Sequence, residues 1–185
     1  MTPSIEEAHW ALEKAVEAAR WSGCQKSKRG VVIWRPGGKS ILSSGWNHPV
    51  GVDCDGSPHC RQSCGKICIH AEQHAILEAA RYGKPMGFSE MLHVKVNIVD
   101  GQAQAVASGG PSCSDCSKLL GISGIVGMWL LHEKDDEPGE KVLRRYTTRE
   151  FHELTLKNLS LYPYLPPPLT MPAPSVPSVG DPKKS

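Results

Sequence analysis

Residues 67–83 read ICIHAEQHAILEAARYG, and Pro85 follows shortly after. Small apolar residues such as Ala71 and Ala75 recur through the stretch, and Gly83 and Pro85 stop it, so the pattern predicts a helix that begins near His70. His70, Glu72 and His74 crowd the start of that helix, with Cys68 just upstream. A helix needed only for packing has no use for so much imidazole. These groups hold a metal, move protons, or decorate a helix surface, and the rest of the chain must decide which.

Working outward, Ser4 and Glu7 have the spacing of a capping box, and Ala8, Leu12, Ala15, Val16 and Ala19 follow at helical intervals, predicting a first helix from about Ser4 to Trp21. Val31 to Trp34 and Ser40 to Ser44 flank a Pro-Gly-Gly turn and read as a hairpin. NHPVGVDCDGSPHCRQSCGKIC, residues 47–68, shows no sustained periodicity and is expected as a loop or a metal-stapled insert. MLHVKVNIV alternates as a strand, CSDCSKLLGISG reads as a helix, and IVGMWLLH reads as a buried strand. Residues 141–159 are expected to form a short strand or arm followed by a helix. Strands alternating with helices point to an α/β sheet with helices on both faces.

The length of 185 residues suits one domain with a real core, assigned here to residues 1–160. From Tyr162 onward the chain carries eight of its fifteen prolines, so residues 161–185 are expected to form a flexible or polyproline tail, or a docking segment for another subunit or protein. The net charge of +2 is too small to argue for nucleic acid or an anionic membrane. The first residues lack a basic segment followed by an apolar run, so a cytoplasmic protein with no membrane partner is expected. Seven cysteines, an odd number, then read better as metal ligands than as a disulfide framework.

The decisive partner of the opening stretch is GGPSCSDCSKLLG, where Cys113 and Cys116 stand three apart at the start of a helix. With His70 they supply three ligands of the type zinc prefers, and three protein ligands are the set of a catalytic site rather than a structural one. Both ligand groups fall where the chain enters a helix, so two positive helix ends would converge and favour thiolates. Glu72 is not needed as a ligand and is placed to act as general acid and base. An isolated C-x-x-C is as often structural or redox; the joint pattern with His70 and Glu72 is far more specific.

His70-Ala71-Glu72 followed by Pro111-Ser112-Cys113-Ser114-Asp115-Cys116 resembles the zinc nucleoside and nucleotide deaminases. The likeness covers roughly residues 5 to 132 and is strongest to the deoxycytidylate deaminase branch. WSGCQKSKRGVVIW resembles that branch's first helix end and first strand, SSGWNHPVG its glycine-aromatic-asparagine segment, and CSKLLGISGI its helix after the zinc cysteines. The resemblance implies a three-layer α/β/α cytidine-deaminase-like fold with a mixed five-stranded sheet. It implies hydrolytic deamination of a cytosine nucleotide, most simply dCMP to dUMP with release of ammonia, and a homo-oligomer.

Carried onto this chain, the resemblance makes His70, Cys113 and Cys116 the zinc ligands, Glu72 the proton shuttle, and Asn47 a sugar contact. Trp46, Ala71, Ser112 and His74 are further substrate candidates. His74 stands where the branch usually has asparagine, Ser112 separates Pro111 from Cys113, and Leu130 and Leu131 occupy positions often held by an aromatic residue. Some members of the branch carry a second, structural zinc, for which Cys24, Cys54, His59, Cys60, Cys64 and Cys68 are the candidates; independent reduced thiols are the alternative.

Trp10, Trp21, Trp34, Trp46 and Trp129 offer stacking surfaces for single-stranded nucleic acid, but core and interface positions explain most of them. Arg29, Arg61 and Lys66 are phosphate candidates, although scattered bases are more often a solvated face. Two rivals stand beside the nucleotide enzyme. One is a deaminase of a free nucleoside, or of cytosine or adenine within a strand, which would call for a strongly charged groove. The other is a non-catalytic zinc module that binds a protein partner.

Overall fold

The computed structural model describes residues 2–161; the proline-rich tail expected over 161–185 lies, from residue 162 onward, outside the described residues. Helix α1 (Ile5–Ala19) begins at the capping box expected for it, with Ser4 Oγ accepting from the Glu7 N–H at 3.1 Å and Glu7 Oε2 accepting from the Ser4 N–H at 3.0 Å. Strands β1 (Lys28–Arg35) and β2 (Ser40–Trp46) form the hairpin. Helix α3 (Ala71–Arg81) follows, then β5 (Glu90–Val99), β6 (Gln102–Val106), α4 (Ser114–Ser123), β7 (Gly127–Lys134), β8 (Glu137–Thr147) and α5 (Thr148–Asn158).

One sheet runs in the order β2-β1-β5-β7-β8, five strands as expected, and β6 pairs with β5 as a sixth. It is mixed: β5 and β7 are parallel while the other pairs are antiparallel. The parallel pair needs a crossover, and α4 lies within it. The first half of β5 pairs with β7 and the second half with β6, so DGQAQAV returns as a short hairpin. Asp100 (φ 50°) and Gly101 (φ 74°) turn it, the left-handed pair that a tight two-residue hairpin requires.

Strand alternation gives the sheet two apolar faces. Val32, Trp34, Leu92, Val94, Trp129 and Leu131 pack against the alanines of α1. Val31, Ile33, Met91, Met128 and Leu130 pack against α3, α4 and Phe151 of α5. This is the three-layer arrangement the sequence pattern called for.

Residues 47–68 correct the reading of that segment as loop. His48–Pro49 (β3) pairs with Cys68–Ile69 (β4), and Pro58–Ile67 forms a helix, α2. Ser57 caps α2, its Oγ accepting from the Cys60 N–H at 3.1 Å, and Pro58 opens the first turn. None of its residues is buried, so no apolar periodicity marks it in the sequence. Among the described residues no helix is long and apolar enough to cross a membrane.

Candidate active site

The short strand β4 delivers the chain to His70, which stands in extended conformation (φ −77°, ψ 155°) at the cap of α3. Its N–H donates to Gln73 Oε1 at 3.0 Å, fixing the entry angle of the helix. Close packing then sets the helix on the sheet: a Cβ at Gly45 of β2 would collide with the backbone of Ala71 and Ala75. Cys113, also extended (φ −123°, ψ 108°), caps α4 through its side chain, its Sγ accepting from the Cys116 N–H at 3.4 Å. Gly124, at φ 84°, closes that helix in the left-handed conformation that glycine adopts without steric cost.

The two helix starts meet. His70 Nδ1 lies 3.4 Å from Cys113 Sγ and 3.3 Å from Cys116 Sγ. The three donor atoms all fall within 4.8 Å of one another, the one such group of three or more metal-ligating side chains among the described residues. Two sulfurs and one imidazole nitrogen fit zinc by number, by type and by spacing. A hydrogen bond with Cys116, opposed by burial and reinforced by His70, pulls the Cys113 thiol down to about 4. The same bond with Cys113, together with burial, pushes Cys116 upward, so a single proton serves the metal-free pair and Cys113 carries the charge. The hydrogen bond to Cys113 in turn raises His70.

Glu72 sits in the first turn of α3, at the positive end of its dipole, and is buried. Burial by itself would raise its carboxyl; the surrounding His93, His70 and Arg29 outweigh burial and hold it below the usual carboxylate range. Burial drives His93 of β5 down to about 4. A neutral ring also suits the geometry, because Arg29 Nη1, which can only donate, lies 3.3 Å from His93 Nε2. Nε2 therefore accepts, and the ring proton is on Nδ1. Glu72 Oε1 lies 4.0 Å from Nε2, beyond hydrogen-bonding distance, so the ring acts on Glu72 through its charge, and only when protonated.

A cavity of about 310 Å³ joins Asn47, Ser27, Arg29, His70, Glu72 and Cys113. A smaller one of about 40 Å³ lies beside it, where Glu72 and His93 meet Pro111, Leu130 and Phe151. Asn47 is nearly fully engaged by protein: its Oδ1 accepts from Ser22 Oγ and from the Arg29 N–H, each at 2.8 Å, and its Nδ2 donates to Ser27 O at 2.8 Å. It pins the end of α1 to the start of β1 and leaves one amide hydrogen for a ligand. Ser112 lines both cavities, and Ala71 is fully buried beneath the first turn of α3.

Trp46 and His74 go elsewhere. Their rings meet edge-on at 4.6 Å, and both line a separate cavity of about 450 Å³ with Leu42 and Tyr82. A cavity of about 860 Å³ between α4 and α5 contains none of the candidate zinc ligands.

The cysteine-rich segment forms two pairs, Cys54 with Cys60 and Cys64 with Cys68, each at 3.5 Å between sulfurs. Cys24 is buried, and Cys64 and Cys68 line the 310 Å³ cavity with it, while His59 is exposed on α2. Sequence reasoning did not single out His93 or Phe151. The signal for His93 was present: with Met91 and Lys95 it shares one face of an alternating strand, so a histidine there had to point at the helix layer.

The profile of the family described as "Cytidine and deoxycytidylate deaminase zinc-binding region" matches residues 5–131. Deoxycytidylate deaminase of Schizosaccharomyces pombe is 40% identical over 81 residues, covering 38% of this chain and 24% of that protein's length. The dCMP deaminase of cyanophage S-TIM5, solved in complex with dCMP and dUMP, is 27% identical over 68% of this chain and 79% of its own, with a TM-score of 0.48. Cytidine deaminase from Burkholderia pseudomallei is 18% identical over 77% of this chain and 94% of its own; its TM-score of 0.52 supports the shared fold.

Proposed function

Because the chain belongs to the cytidine and deoxycytidylate deaminase family, we propose that it is a zinc hydrolase converting a cytosine nucleotide, dCMP, to dUMP and ammonia. The observation that carries this reading is the convergence of His70, Cys113 and Cys116 beside the buried carboxylate of Glu72. A bound zinc would supply acidity, bringing a water's pKa from about 15.7 toward about 7.

The chain's own residues supply the rest. His70, Cys113 and Cys116 hold the metal. Glu72, whose carboxyl lies below the usual carboxylate range, takes a proton from the attacking water and passes it to the base. Water adds at C4 of the ring, the C4–N bond breaks, and the amino group leaves as ammonia. The 310 Å³ cavity is of a size that suits a single nucleotide, and Asn47 offers its remaining amide hydrogen to the sugar. The Ala71 and Ser112 backbone flanks the base. Trp46 and His74 share a neighbouring wall and act on substrate only indirectly. Assembly into a homo-oligomer and a second zinc on the α2 segment are parts of the same reading.

The test is ammonia release by zinc-loaded protein offered dCMP, deoxycytidine, CMP and a cytosine-containing single strand, with Glu72→Ala as control. Turnover of dCMP that disappears in the variant, while zinc content is retained, supports the enzyme. A variant as active as wild type, or silence on every substrate despite bound zinc, overturns it.

A further inference from the structure

Among the described residues Arg29 is the only arginine that lines either cavity beside the candidate zinc ligands, and it lines both. Strand alternation places it on the face of β1 that carries Val31 and Ile33 toward α3. Its cross-strand partner is Lys95, which alternates onto the same face of β5 from His93. Like charges directly opposite one another in a sheet are destabilising, yet neither Arg29 nor Lys95 enters an ion pair among the described residues. Lys26 adds a third cation to the wall of the larger cavity.

Unpartnered polar atoms gather at the same place. His93 Nδ1, Ser27 Oγ and Ser108 Oγ are buried without a hydrogen-bond partner among the described residues, and all three residues line one or both cavities. Buried polar atoms are rarely left unpaired unless a ligand or water completes them. His93 is itself 4% exposed, and its Nε2 anchors the Arg29 guanidinium at 3.3 Å.

We propose that Arg29, with Lys26 and the Ser27 hydroxyl, is the specificity-determining group that reads the phosphate of the substrate, and that His93 is a positioning residue acting through Arg29. This rests on the deaminase reading for the identity of the nucleotide. The guanidinium donates in the fork geometry that phosphate oxygens accept. His93 spends its acceptor nitrogen on one guanidinium N–H and so removes the freedom of a long side chain before the ligand arrives.

The test uses the reaction product, which is not turned over. Affinities for dUMP and deoxyuridine are measured by calorimetry on full-length wild type, Arg29→Gln, Arg29→Lys, His93→Leu, His93→Gln and the double variant Arg29→Gln/His93→Leu, each checked for a native melting transition. Wild type is expected to favour dUMP by about ten- to hundredfold, the range of one or two charge-assisted hydrogen bonds. Arg29→Gln should collapse that ratio toward unity and Arg29→Lys restore part of it. His93→Leu should lower the ratio, His93→Gln recover it through the glutamine carbonyl, and the double variant be no worse than Arg29→Gln alone.

An unchanged ratio in Arg29→Gln overturns the proposal, as does an equal loss on nucleotide and nucleoside or an absence of binding by both ligands. A protein that deaminates cytosine substrates without phosphate preference sinks this inference and leaves the enzyme reading standing. Loss of the dUMP preference in Arg29→Gln with no deamination by wild type does the reverse.

Discussion

His70 Nδ1 and Cys113 Sγ stand 3.4 Å apart although 43 positions separate them in the chain. Each begins a helix, and each helix is laid on the same face of the sheet by small residues and strand ends. In the metal-free protein the hydrogen bond with Cys116, reinforced by that contact, lowers the Cys113 thiol to about 4 and so favours its thiolate above that pH. Cys113 is therefore expected to react with iodoacetamide at pH 6 several-fold faster than Cys68, whose thiol burial pushes up to about 12. Peptide mapping checks the rates, and stoichiometric zinc should suppress the Cys113 reaction. Equal rates at the two sites would contradict the thiolate assignment.

His93 ties stability to pH. Burial lowers its folded-state value from 6.5 to about 4, so between those limits the unfolded chain takes up the proton and the folded chain does not. Stability is therefore fully present above pH 6.5 and is lost as pH falls through the window toward 4. The loss between pH 7.5 and pH 5 is expected to be about 2 kcal/mol. Urea unfolding of chelator-treated protein measures it, and His93→Leu should flatten this part of the profile.

Glu90 is fully buried and held by Arg145 through two contacts, Nε to Oε2 at 2.9 Å and Nη2 to Oε1 at 2.6 Å, with Trp129 Nε1 donating to Oε2 at 2.8 Å. Arg145→Ala leaves that carboxylate buried without its cation, and the expected cost is about 3–5 kcal/mol. Pairing it with Glu90→Leu should recover part of the loss. Thermal or chemical unfolding decides, and a double variant less stable than Arg145→Ala would argue against the buried charge as the cause.

Two glycines that look alike in sequence should behave differently. A Cβ at Gly30 meets the backbone of Ala15 and Ala19 on the α1 face, while one at Gly45 meets Ala71 and Ala75 beneath the candidate metal helix. Gly30→Ala and Gly45→Ala should each cost about 1–3 kcal/mol or more from overpacking. Gly45→Ala alone should also weaken zinc binding, because it lifts His70 away from Cys113. Equilibrium dialysis with zinc separates the two variants.

The elements most legible in the sequence were those whose signals are local. The capping box at Ser4, the alternation of residues 91–99 and the apolar spacing after His70 each predict an element that forms where expected. Helix α2 escaped because it buries no residue and so carries no period. The pairing of residue types, one histidine with a C-x-x-C and a nearby glutamate, identified the metal-ligand candidates because zinc constrains donor chemistry more tightly than position.

What the chain by itself determined, then, was the alternation of the main strands and helices, α2 and its flanking short strands excepted, and the candidate set of His70, Glu72, Cys113 and Cys116. Both follow from spacing over a few residues and from donor type. Only the tertiary structure decided that Trp46 and His74 face a different cavity, that Asn47 is largely spent on protein, and that His93 stands between Arg29 and Glu72. Arg29 and His93 are 64 positions apart. Their meeting is set by the register of β1 on β5, which a one-residue slip would turn to the opposite face, and that register is fixed by packing across the whole sheet rather than by neighbours in sequence.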